Sequence, residues 1–94
     1  MSNTKLVRPE DVLPDGVDST AINGKTVRKG TIAAFLANAD ILDNPTATEK
    51  QKREAINIMK ELAADVVTIG LHKHVIFKNP EAEQLLVDAE LSMK

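Results

Sequence analysis

From Gly30 to Ala39 the chain carries no charged residue, and no other stretch constrains its fold as tightly. Thr31 is the expected N-cap of a helix running to about Leu42. At 100° per residue, Ile32, Phe35, Leu36, Ala39 and Leu42 fall within an arc of about 120°. The other sides carry Ala33, Ala34, Ala37 and Ile41, so the helix is apolar all round. Such a helix is expected to be buried, and its alanines would let neighbouring backbones approach closely. The segment is therefore the expected central helix.

The 94 residues suffice for one domain, since a chain of this size buries roughly two thirds of its unfolded surface. Apolar residues at 43% and charged residues at 28% predict a soluble globular protein rather than a disordered tail. The core must be aliphatic, because Phe35 and Phe77 are the sole aromatic rings of the Phe, Tyr and Trp class. The absence of cysteine excludes disulfides, thiolate metal sites and cysteine catalysis. A net charge of −2 counts against a uniformly basic nucleic-acid binder.

Residues 1–19 are expected to form an extended arm. Pro9, Pro14 and Gly16 interrupt it, Glu10, Asp11, Asp15 and Asp18 make it acidic, and Leu6, Val7, Val12 and Leu13 could pin it. The residues Met1 to Pro9 lack the apolar run of a secretory signal. No apolar stretch reaches the roughly 20 residues of a membrane span, so a cytoplasmic location is expected.

Residues 20–94 are expected to form the compact domain. Asn23-Gly24 suits a type I′ turn, in which Thr20 faces Val27 and Ile22 faces Lys25. That register puts Ile22 and Val27 on one side of a hairpin. After the first helix, Thr46 with Glu49 or Thr48 with Gln51 fits a capping box, opening a second helix to about Ile69. The pattern of residues 71–78 predicts a short strand added to the hairpin. Asn79-Pro80-Glu81 opens a last helix, to about Ser92. The expected fold is α+β and mainly helical: arm, hairpin, two central helices, short strand, C-terminal helix.

Three groups of residues bear on function. On the last helix, Ala82, Leu85, Leu86, Ala89 and Met93 make a core stripe, whereas Val87 and Leu91 point to the far side. A second apolar direction on one helix predicts an interface formed by Leu91, Val87 and Gln84, most economically across a two-fold axis in a homodimer. His72 and His74 have metal-ligand character, and on a strand both imidazoles would point the same way. They have no third His and no Cys beside them, so no metal and no cofactor is expected. Finally, Lys25, Arg28, Lys29, Lys50 and Arg53 could share a basic face that binds an anion or nucleic acid. That face would lack aromatic residues for stacking and a glycine-rich phosphate loop, which makes nucleic acid the lesser expectation.

Catalysis has no evident seat. Ser2, Ser19 and Ser92 lie outside any nucleophile elbow, and nearly all the carboxylates fall on polar helix faces or in the arm, with Asp65 at the edge of an apolar arc coming nearest to an apolar setting. The expected function is a small cytoplasmic interaction or oligomerisation domain without a catalytic site, acting through apolar helix faces. Anion or nucleic-acid binding by the basic face is the alternative.

Overall fold

The computed structural model describes residues 8, 16, 19–22 and 24–93. The expected arm over residues 1–19 falls almost wholly outside the described residues. The described chain is mainly helical α+β, in the order β1 (Ser19–Ile22), β2 (Lys25–Arg28), α1 (Thr31–Asp43), α2 (Glu49–Ile69), a 3₁₀ turn (Leu71–Lys73) and α3 (Pro80–Ser92). The two strands pair antiparallel, with Thr20 opposite Val27 and Ile22 opposite Lys25, as the turn chemistry predicts. Gly24 supplies a positive φ of 82° in that turn.

The central helix is α2, not α1. It packs against both α1 and α3 and also receives β2. Its side chains Ala55, Met59, Ala63 and Val66 are buried in one cluster with Phe35, Ala39 and Leu42 of α1 and Ala82 and Leu86 of α3. α1 is an outer helix. It buries Thr31, Phe35, Ala39 and Leu42 but leaves Ala33, Ala34, Leu36 and Ala37 exposed. Lack of charge does not force burial, because much of any folded surface is apolar. Burial goes instead to the helix whose wide apolar face has two helices to cover it.

The helix ends follow local chemistry. α2 begins with a full capping box: the Thr48 hydroxyl accepts from the Gln51 amide at 3.1 Å, and the Gln51 side chain accepts from the Thr48 amide at 2.8 Å. Thr46 instead donates its hydroxyl to Asn44 Oδ1. At α3, Asn79 Oδ1 accepts from the amides of Glu81 and Ala82, and Asn79 Nδ2 donates to Asp43 Oδ1 at 2.7 Å. One side chain thus caps α3 and ties it to the end of α1. Thr31 does not cap α1. Gly30, at φ 82°, precedes the helix, and the Thr31 hydroxyl donates to the Arg28 carbonyl at 2.7 Å.

The expected strand over residues 71–78 does not form. Gly70 ends α2 at φ 100°, a 3₁₀ turn follows, and residues 74–79 run without regular structure. The physical reason lies in α3. The Phe77 amide donates to Glu83 Oε1 at 2.9 Å, so a backbone donor that a ladder would use is satisfied by a side chain. The sheet among the described residues is therefore the two-stranded hairpin.

Candidate functional site

The connection between α2 and α3 wraps over the N-terminal half of α1. Between it, the hairpin and that helix lie two adjoining apolar hollows. The first, about 520 Å³, lies between the hairpin face (Thr20, Ile22, Val27) and the first turns of α1 (Ile32, Ala33, Leu36), with Ile69 from the end of α2. The second, about 380 Å³, is walled by Leu71, Val75, Ile76 and Phe77. Ile32 and Leu36 line both, so the two share one turn of α1. Ile76 is 82% exposed, Leu36 45% and Val75 40%. Together they make a cleft that is apolar along its length and open to solvent.

Its charge is one-sided. Arg28 and Lys29 line the first hollow and Lys78 the second. No acid lines either one among the described residues. Sequence reasoning missed this cleft, because its walls come from elements far apart in the chain. Leu36 reads as part of the core stripe of α1; the available signal was the adjacent apolar pair Val75 and Ile76, which cannot both face one side of a strand.

A polar cluster fixes one wall. His72 Nε2 lies 2.7 Å from Glu83 Oε2, and Glu90 Oε2 approaches His72 Nδ1 at 3.9 Å. Nδ1 is buried without a hydrogen-bond partner. The Glu83 carboxyl titrates below its ordinary value, chiefly because it accepts from the His72 ring and then from the Phe77 amide. By gripping both His72 and Phe77, Glu83 holds the segment between them against α3.

The expected histidine pair does not converge. His72 is packed in this cluster, while His74 is exposed in the turn that follows. Without a strand, the parity that would align their rings is lost. Among the described residues no group of three or more His, Cys, Asp or Glu could hold a metal ion.

The five basic residues do not share one patch. Lys25 Nζ makes an ion pair with Asp65 Oδ1 at 2.8 Å, beside the last turns of α2. Arg28 and Lys29 lie close by at the first hollow. Lys50 and Arg53 sit in the first turns of α2. At 1.5 Å per residue, Arg53 is about 18 Å along the axis from Asp65.

On α3, Leu91 is 61% exposed and Met93 48%, while Val87 is half-buried. Gln84 is exposed and donates to Asp88 Oδ1 at 2.8 Å. Of the three residues of the expected interface, Gln84 and Leu91 are thus exposed and Val87 is half-buried. No helix among the described residues is long and apolar enough to cross a membrane.

No protein-family model matches the chain, and no curated protein and no solved structure is similar to it.

Proposed function

We propose that this protein is a small interaction domain that works through its surfaces and not by making or breaking bonds, and that it does so in the cytoplasm. It grips a segment of a partner polypeptide in the cleft between the hairpin, α1 and the 71–78 connection. The observation that carries this reading is the joining of two apolar hollows across Ile32 and Leu36, with Ile76 projecting beside them. Exposed apolar side chains are ordinary singly; contiguous ones marked by a cleft are a recognised signature of binding surfaces.

The test is site-specific photocrosslinking in the native cell, with the probe at position 36, 76 or, as a control, Lys60 on the exposed side of α2. The expected result is one defined polypeptide segment, identified by mass spectrometry, joined at both 36 and 76 and not at 60. Adducts at 60 matching those at 36 and 76, or none at either cleft position, overturn the reading.

A homodimer through α3 is a second reading, favoured by the exposure of Leu91 and Met93 at one end of that helix. Light scattering at tens of micromolar should then give twice the monomer mass, and Leu91→Glu should halve it. A monomer in both proteins removes the dimer and leaves the cleft reading untouched.

A further inference from the structure

Resting on that reading of the cleft, we propose that its occupant is an acidic amphipathic helix of a partner protein. The argument is one of charge and shape. The chain as a whole is acidic, with 14 acids against 12 bases and a net charge of −2. The charged residues that line the cleft are nonetheless all cationic among the described residues; Lys29 has a partner of its own, so the basic margin rests on Arg28 and Lys78. Lys25, which could have joined them, is held by Asp65. Arg28 and Lys78 are exposed and form no ion pair among the described residues. A basic margin around an apolar floor selects an occupant that is apolar on one side and acidic on its flanks.

Shape selects a helix. The two hollows share Ile32 and Leu36 as lining, so an occupant that fills both needs more than one apolar anchor. Side chains at i, i+3, i+4 and i+7 of an amphipathic helix provide such anchors on one face. Ile76, standing 82% exposed at the edge, would be covered by a helix lying across the second hollow.

Fluorescence anisotropy with defined probes tests the proposal on the full chain. The first probe is a labelled helical peptide with leucines at i, i+3, i+4 and i+7 and glutamate and alanine elsewhere. The second replaces every glutamate by lysine. The expected result at low ionic strength is that the glutamate peptide binds at least about tenfold more tightly, with the ratio shrinking as salt is added. The double variant Arg28→Glu/Lys78→Glu should lose or reverse that preference, while Leu36→Glu should weaken both peptides. Circular dichroism melts confirm that each variant is folded.

Equal binding of the two peptides overturns the acidic occupant and leaves the docking reading standing. Binding of neither overturns both. Binding of oleate without either peptide assigns the cleft to a lipid and overturns the helix. Tighter binding of a peptide of residues 4–18 of this chain, which carries Leu6, Val7, Val12 and Leu13 with four acids, assigns the cleft to the chain's own N-terminal segment and likewise overturns the partner.

Discussion

The rings of Phe35 and Phe77 meet edge to face, with centroids 5.3 Å apart and planes inclined at 83°. Phe35 is fully buried in α1, and Phe77 belongs to the irregular connection before α3. The contact therefore fastens the least regular part of the described chain to its core. An edge-to-face pair contributes about 0.5–1.5 kcal/mol beyond the area it buries. Phe77→Leu should lower the unfolding free energy by about that amount in urea titration, whereas Phe35→Ala should cost about 3–5 kcal/mol. Equal losses from the two would mean that Phe77 is as much a core residue as Phe35.

Glu83 makes stability depend on acid. Its folded carboxyl titrates below the unfolded value of 4.5, so its contribution is complete above that value and is lost as pH falls through the folded one. Melting temperature should therefore drop on the acid side of about pH 4.5, and Glu83→Gln should flatten that slope while lowering the plateau at neutral pH. An unchanged acid slope in the glutamine variant would assign the effect to other carboxylates.

Gly70 closes α2 at φ 100°, and a Cβ built there would meet nothing nearer than Lys73 Cδ at 3.9 Å. Space is not the constraint; backbone conformation is. Gly70→Ala should destabilise by about 1–2 kcal/mol, the cost of a left-handed conformation for an L-residue. A neutral outcome in chemical denaturation would show that the chain leaves this conformation at little cost.

The cap and the ion pair on α2 should behave very differently. Thr48→Ala removes an acceptor at a helix N-terminus and should cost about 1 kcal/mol. Lys25→Met breaks a pair whose side chains are 44% and 22% exposed, and should change stability by less than about 1 kcal/mol. If thermal melts rank the two in the opposite order, the Lys25–Asp65 pair anchors the hairpin more firmly than its exposure implies.

Local chemistry was legible in the sequence, and tertiary competition was not. Asn23-Gly24 announces the hairpin and its register, and Asn79-Pro80 announces the start of α3, because turns and caps are decided within a few residues. The choice between Thr46 and Thr48 as the cap of α2 depended on where Asn44 sends its side-chain oxygen, which accepts from both the amide and the hydroxyl of Thr46. Two expectations failed on long-range grounds. α1, uncharged as far as Ala39, gave up the central place to α2, since an alanine-rich face is tolerated in water as readily as in a core. Residues 71–78 have alternation fit for a strand, yet Glu83, six positions beyond Phe77, takes the donor that a ladder would need. Of the candidate site residues, Arg28 and Lys29 came to lie on the cleft; Leu36 read as a core residue and Val75 and Ile76 as strand residues, because a groove between distant elements has no period.

Val27 is the hairpin's buried side chain among the described residues, and it stands outside the cluster that unites the three helices. The strands therefore attach to α2 outside the core that the helices share. Segments attached in this way open at a fraction of the global unfolding free energy. Amide protons of β1 and β2 should thus exchange with solvent well before those of α2, so one wall of the groove is expected to be its least protected part.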